Sequence, residues 1–535
     1  MHLFERIRKR NSLWFLNIAQ WGAVVNDNIY KFILVFLLID VYGSEKASNI
    51  LSGAGAVFVI PFLLFSSAAG ILADRYSKKW IITLVKIFEV MIFLGAVYAV
   101  KYHNPYALYF FLFCLATHSA IFGPAKYSII PELVPAEKVP KANGLITSCT
   151  YLGIIIGTFL ASFLSEITNC QYTTVIFFCC LLAVFGLLNA LCMTSTPPQG
   201  SQRKIHAFFI KEIFHTLRSC RTKPYLLLVL ASSSFFLFVG AFTQLNIIPY
   251  SLQGLHLSEI YGGYLFLCTA LGIAGGSYLV GKILKRPIAL WIPCMAGFTL
   301  AFFLFCLAFI SNYLPLTIAL LFFLGVAGGM FVVPLDSFIQ LACSHETRGQ
   351  VIAAGNFLGF CGVLLSSILL YVLSSVLGLS AMVGFGIMAV LTLAYTIFLF
   401  FQLSAFTLPF LVKAILRPAF KLELTDLTLL EPETQMPLVV KRGTVSDCLL
   451  LTTLLPHYRF VIMGEKKSLS TSLLSLFATF SFSTLPDEVM QANTRVCFVI
   501  PDKWPSSWLP RKYAQVELLP SYQQGPMLVR FILPS

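Results

Sequence analysis

The chain has 535 residues, 58% of them hydrophobic and only 11% charged, with a net charge of +14. Soluble domains carry roughly 25% charged residues, so the composition excludes a soluble globular protein and points to an integral membrane one. In that class the basic excess reads as cations on cytoplasmic loops rather than as a nucleic-acid surface. The 14 cysteines contain no CxxC pair and no His-flanked cluster, which speaks against a zinc site or a disulfide framework.

The first ten residues are basic, and the apolar stretch after them is too long for a signal-peptide core, so it reads as a retained first helix. A spanning helix needs about 20 mostly apolar residues. Twelve are predicted: 13–41, 50–73, 80–100, 105–124, 142–166, 172–193, 225–252, 260–283, 287–310, 314–341, 351–376 and 380–403. The first contains Asn26-Asp27-Asn28 and then Lys31, four residues after the acid and on the same helix face. Ionisable groups inside a span are costly and default to function. Their polar neighbours suggest a wet cavity in which Asp27, Asn28 and Lys31 contact substrate or gate access.

The second span ends in Gly70-Ile-Leu-Ala-Asp74-Arg75-Tyr-Ser-Lys78-Lys79. A carboxylate among cations at a helix exit can pair across to a neighbouring helix end and release it on a conformational change. The third span carries Lys86 and Glu89 on one face, for which mutual neutralisation inside the bundle and a transport role are both open. The fourth contains His118 and ends near Lys126. Residues 122–144 read FGPAKYSIIPELVPAEKVPKANG. Prolines lack the amide donor and bias the preceding residue away from helix, so this stretch predicts an aqueous hinge with Lys126, Lys141 and Asn143 at the mouth of a half-molecule.

Residues 194–224 form a basic linker in which Phe208, Phe209, Ile213, Phe214 and Leu217 recur at helical spacing, predicting an amphipathic helix on the membrane face. It divides six spans (1–193) from six more (225–411), the layout of a two-halved repeat transporter. Gln244 and Asn246 lie in the seventh span and Asn356 in the eleventh. Asp336, just past Pro334 in the tenth, is predicted at a cytoplasmic gate. Basic residues crowd the linker and the loops at 75–79 and 126–141, whereas the alternate loops offer Lys46 and Lys101 among acids. That skew places both termini in the cytoplasm. Residues 412–535 are too polar to span and contain short strand-like runs, predicting a small cytoplasmic α/β module. No G-x-x-x-x-G-K-[ST] occurs, so no ATP motor is expected, and neither a cofactor nor a metal is.

The spacing G-x-x-x-D-R-x-x-x-K after the second of twelve spans resembles the signature loop of the major facilitator superfamily, with Gly70, Asp74, Arg75, Lys78 and Lys79 as its residues. Phe122-Gly-Pro-Ala-Lys126-Tyr-Ser-Ile-Ile, Lys141-Ala-Asn143-Gly144-Leu, Asn26-Asp27-Asn28 and Gly325-Val-Ala-Gly-Gly-Met-Phe-Val-Val-Pro334-Leu together resemble the bacterial lysophospholipid transporter family over about residues 13–403. The resemblance implies a 12-helix fold of pseudo-symmetric 6+6 halves. It also implies movement of lysophospholipids, chiefly lysophosphatidylethanolamine, from the outer to the inner leaflet of the inner membrane for reacylation. Asp27, Lys126 and Asp336 would contact the headgroup or gate. Transport of another small solute, a drug or metabolite, is the alternative, and a membrane-tethered acyltransferase ranks third.

Some relatives carry a fused glycerolipid acyltransferase whose N-H-x-S-x-x-D motif supplies a His base and an orienting Asp. The similar stretch here, from Pro437, keeps Asp447 but has Arg442 where the His would stand. Arginine stays protonated and cannot be the base. Pro501-Asp502-Lys503 likewise replaces the phosphate-binding F-P-E-G, and His457 has the wrong spacing to Asp447. The tail thus resembles a degenerate acyltransferase, not an enzyme. The implied partners are the lysophospholipid, membrane lipids and a cytoplasmic acyltransferase or acyl-carrier-protein ligase; nucleic acid is not among them.

Overall fold

The protein is described by a computed structural model covering residues 2–43, 47–203, 209–257, 259–284, 289–310 and 313–416, together with short segments of the C-terminal region. Among the described residues, twelve helices are long and apolar enough to cross a membrane. In chain order the N-terminal half comprises α1 (His2–Tyr42), α2 (Ala47–Arg75), α3 (Lys78–Lys101), α4 (Pro105–Ser128), the single turn α5 (Ile130–Leu133), α6 (Val139–Ile167) and α7 (Tyr172–Cys192). The linker contributes α8 (Phe209–Cys220). The second half comprises α9 (Leu226–Gln253), α10 (Glu259–Ile283), α11 (Trp291–Phe309), α12 (Leu314–Ala342), α13 (Arg348–Tyr371) and α14 (Ala381–Gln402), after which α15 (Ser404–Leu416) follows.

Residues up to Leu393 form one compact unit. Within its first half α1 packs on α6 and α7, and α2 on α4. Ile29, Tyr30, Ile33 and Leu37 of α1 meet Phe93, Leu112 and Val175 in a buried core. The Tyr30 hydroxyl there donates to the Leu108 carbonyl at 3.0 Å, satisfying the one polar atom that the ring brings inside. Outward faces carry exposed Leu84, Met91, Phe110 and Phe302, as lipid-facing helices require. The halves join through α2 against α13 and α6 against α10. In the second half α10 and α12 touch backbone to backbone. A Cβ on Gly325 would sit 2.1 Å from the Thr269 carbonyl oxygen, and one on Gly276 2.1 Å from that of Val326. Small residues permit such an approach where lipid offers no hydrophobic drive to association.

Two expectations need correcting. The fourth span does not end at Pro124, because α4 continues through it to Ser128. The residue before a proline is normally pushed from helix by its own Cβ, and here that residue is Gly123, which has none. The break comes later, at α5 and a 3₁₀ turn (Ala136–Lys138), and Pro140 then falls in the first turn of α6, where a missing N–H costs nothing. Lys126 is therefore a helix residue, 8% exposed, rather than a cation of an aqueous hinge, whereas Lys141 is exposed. Similarly, Gly70, Asp74 and Arg75 belong to α2 and Lys78 and Lys79 to α3, so the signature loop shrinks to the Tyr76-Ser77 turn.

The second unit begins at Ala394. Among the described residues its C-terminal region holds seven short strands, β1 (Leu422–Thr425), β2 (Leu438–Lys441), β3 (Arg459–Met463), β4 (Phe480–Ser483), β5 (Val496–Ile500), β6 (Ala514–Leu519) and β7 (Met527–Ile532). They pair in the order β1-β7-β6-β2-β5-β3-β4, parallel except for β6 with β7. Arg442, Asp447, His457 and 501–503 lie outside the described residues, as does Lys46.

Candidate functional site

Between the halves lies a cavity of about 560 Å³ whose charged lining residues all come from the first half. From α1 and α4 come Gln20, Asp27, Asn28, Lys31, Ser119 and Lys126. From the second half come Phe236, Phe266, Ile273, Leu300 and Leu324 together with the polar Thr243, Gln244, Thr269 and Asn356, while Phe58, Phe62 and Phe122 of the first half also line it. Asp27 is 9% exposed; its Oδ2 accepts from Ser119 Oγ at 2.7 Å, while its buried Oδ1 has no hydrogen-bond partner. Lys126 Nζ donates to Gln20 Oε1 at 3.4 Å and lies 4.6 Å from the centre of the Tyr127 ring. Lys31 Nζ sits 5.4 Å from the Phe32 ring and makes no ion pair with Asp27. One acid with an unclaimed oxygen and two cations without a carboxylate partner among the described residues thus face a common space, which suits a small ligand carrying both signs of charge.

Asp336 lines an adjoining cavity of about 230 Å³ with Tyr127, Thr150, Tyr151, Ser233 and Asn356. Ser233 Oγ approaches it at 3.5 Å. Asn356, Thr150, Tyr127 and Tyr151 border both cavities, so Asp336 belongs to the walls of the cavity system, rather than to a gate alone.

Lys86, Glu89 and His118 do not line either cavity but form a cluster behind α1. Lys86 Nζ meets Glu89 Oε2 at 2.6 Å, both side chains fully buried, and His118 Nε2 stands 3.4 Å from the same oxygen. Asn26 Nδ2 donates to Glu89 Oε1 at 3.0 Å. A buried ion pair with an additional hydrogen bond thus joins α1, α3 and α4, and its geometry is that of mutual neutralisation.

The halves are latched at the end bearing the signature motif. Asp74 of α2 is fully buried, and its carboxylate accepts the backbone N–H of Gly349 at 2.7 Å and of Gln350 at 2.9 Å. It therefore caps α13 of the opposite half, satisfying donors that a helix start leaves orphaned and meeting the positive end of its dipole. Gly70 allows the contact, since a Cβ there would lie 2.7 Å from Ala353 Cβ and 2.8 Å from Gln350 Cα. Asn143 closes a second latch: its Nδ2 donates to Gln340 Oε1 at 3.1 Å and to Ser337 Oγ at 3.0 Å, and Gln340 Nε2 returns a bond at 2.9 Å. Lys78 pairs with Glu132 at 2.6 Å, and Arg75 holds the linker through the carbonyls of Ser201 and Arg203. Lys79 lies 4.8 Å from the Trp80 ring.

Sequence reasoning missed Gln20, Ser119, Tyr127, Tyr151, Ser337 and Gln340. Gln20 accepts from Lys126 and from Thr150 Oγ1 at 3.0 Å, and donates to Asn17 Oδ1 at 3.0 Å. An amide inside an apolar run was the available signal for it. Nothing local could have flagged Ser337 or Gln340.

Two latched helical halves around a central cavity that gathers buried charges define a multi-pass membrane transporter. The sequence profile of the Major Facilitator Superfamily matches residues 16–367, and the chain belongs to that family. It is similar to the lysophospholipid transporter LplT of Escherichia coli (strain K12), 26% identical over 407 residues, 73% of this chain and 97% of that protein. LplT of Cronobacter sakazakii is 26% identical over 347 residues, 63% of this chain and 81% of that one. Among solved structures, the human organic anion transporter MFSD10 superposes with a TM-score of 0.63 at 15% identity, covering 73% of this chain and 99% of that chain. The Escherichia coli fucose:proton symporter FucP superposes with 0.60 at 12% identity, covering 74% and 99%. These superpositions speak for the fold alone.

Proposed function

We propose that this protein moves lysophospholipids, with lysophosphatidylethanolamine as the type, from the outer to the inner leaflet of a bacterial inner membrane for reacylation. The observation that carries the reading is a cavity that gathers an acid and two cations on one side and also holds many aromatic and aliphatic side chains. A lysophospholipid has a compact zwitterionic head and one chain. Lys126 and Lys31 would take the phosphate, Asp27 the ammonium, and Phe236, Phe266 and Leu300 would receive the chain. The similarity to LplT over most of both chains supports the same substrate class.

In this reading Asp74 and Asn143 latch one end of the bundle, Asp336 and Asn356 line the path towards it, and both termini are cytoplasmic. Residues 412–535 are a degenerate acyltransferase-like module, with Arg442 in place of the base and Asp447 retained. The returned lipid would then pass to a separate cytoplasmic acyltransferase or acyl-carrier-protein ligase.

The test is reconstitution. Proteoliposomes should move fluorescent lysophosphatidylethanolamine between leaflets faster than lipid-only vesicles, and Asp27→Asn should remove most of that excess. Movement at the lipid-only rate in folded, correctly inserted protein removes the proposal.

A further inference from the structure

The linker helix α8 has two unlike faces. Ile213, Thr216 and Cys220 are buried against the bundle, where α8 meets α2 and α13. Ile210 and Phe214 point outward, 64% and 65% exposed, beside the exposed cations Lys211 and Arg218. Between α8 and the first turn of α9 is a cavity of about 290 Å³ lined by Phe214, Leu217, Arg218, Arg221 and Leu227. Arg218 and Arg221 are three residues apart, on one side of the helix end, and neither has a carboxylate within ion-pair distance among the described residues.

The corner that holds this pocket is fixed. Tyr225 takes a left-handed turn (φ 63°) between α8 and α9, and Lys223 Nζ donates to the Ala342 carbonyl at the end of α12 at 2.9 Å. The pocket also lies where spans stop: α2 ends at Arg75 and α9 begins at Leu226. That is the level of the phospholipid headgroups. A helix with aromatic and aliphatic residues outward and arginines alongside is built to lie in that layer. Guanidinium groups bind phosphate through paired, charge-assisted hydrogen bonds.

We propose that the α8–α9 pocket is a binding site for an anionic membrane phospholipid, separate from the central cavity. Arg218 and Arg221 take the phosphodiester, and Phe214, Leu217 and Leu227 line its first acyl carbons. The bound lipid acts on the latch. Arg203 donates to Thr216 Oγ1 on the buried face of α8 at 3.3 Å, and the Arg203 carbonyl accepts from Arg75 of the signature motif. Gln350, whose N–H is capped by Asp74, donates to Ser201 Oγ at 3.3 Å. Holding α8 in the headgroup layer therefore holds the linker across the latched end.

Binding is read by native mass spectrometry of the full-length protein titrated with phosphatidylglycerol, phosphatidylcholine or inorganic phosphate. Phosphatidylglycerol should bind saturably and at least about tenfold more tightly than phosphatidylcholine, which has the same phosphodiester but whose choline ammonium neutralises it and is repelled by the two guanidinium groups. The Arg218→Ala/Arg221→Ala protein should lose that preference. A Lys138→Ala/Lys141→Ala protein, which removes two cations elsewhere, should keep it. Should the alanine protein not fold, Arg218→Lys/Arg221→Lys replaces it; keeping charge without the planar fork, it should bind with intermediate strength. Unchanged preference in the arginine variants, equal binding of both lipids, or displacement of the lipid by inorganic phosphate alone each overturns the proposal.

Discussion

Replacing Asp74 with alanine removes an interaction that exists only while the signature-motif end is closed. In that state two backbone N–H groups of α13 donate to the Asp74 carboxylate at 2.7 and 2.9 Å in a fully buried site. Hydrogen bonds to a charged group contribute about 1.5–3 kcal/mol each, so the two together favour closure by roughly 3–6 kcal/mol. Opening admits water to those donors, which leaves the open state nearly untouched by the substitution. At about 1.4 kcal/mol per factor of ten, even the lower bound shifts the closed-to-open ratio about a hundredfold towards open. Asp74→Asn keeps one acceptor oxygen without the charge and should fall between.

Cys343 is a native reporter of that shift. It follows the last residue of α12 and is 4% exposed, and burial pushes its thiol up to about 12. Asp74 of α2 lies close enough to add to that shift, so separating α2 from the second half disturbs the surroundings of this thiol. The thiolate is the reactive form, and closed protein should label slowly. In a background retaining only Cys343, maleimide labelling of Asp74→Ala should run faster than the parent by about the shift in the open fraction, up to about a hundredfold. Lysophospholipid movement should drop in parallel, because the cycle needs both states. Parental labelling rates in a folded Asp74→Ala protein would refute the latch.

Two further perturbations separate the cavity from its scaffolding. Glu89→Ala strands the Lys86 ammonium in a site where both side chains are fully buried, and should destabilise the detergent-solubilised protein by about 3–5 kcal/mol. Lys86→Met/Glu89→Gln should melt closer to the parent, and a single variant as stable as the double would show that the pair is not a neutralising one. Lys126→Gln removes a cavity-facing cation and should slow lipid movement about tenfold or more. The exposed Lys141→Gln should stay within about twofold of the parent, as surface charges generally do; equal effects would detach transport from the cavity.

The spans were legible because their signal is local: about 20 apolar residues between charged turns suffice to define each helix. Asp74 was legible for a related reason, since a buried-looking acid at a helix exit had to meet something across the interface. Its partner is of the expected kind, a neighbouring helix end: the start of α13, through two backbone donors 275 and 276 residues away. Backbone partners leave no trace in residue type, and neither does the Asn143–Gln340 latch, which joins residues 197 apart. The tail shows the opposite limit: the residues that carry its expected resemblance lie beyond the described residues.

Lys126 was misplaced for an instructive reason. Three later prolines drew the helix end back to Pro124, although Gly123 removes the clash that makes a proline end a helix. Four more helical residues are a little over one turn, enough to carry Lys126 from a loop into the cavity wall beside Gln20 and Tyr127. The correction also divides the intramembrane charges into two sets. Lys86 and Glu89 satisfy each other, so substituting them tests folding. Asp27, Lys31 and Lys126 leave charge unneutralised towards the cavity, and holding such groups in a low-dielectric interior is worthwhile only where a ligand, or water that a ligand displaces, completes them. The unclaimed Oδ1 of Asp27 is where that incompleteness is most local, which makes it the atom on which a zwitterionic headgroup would be recognised.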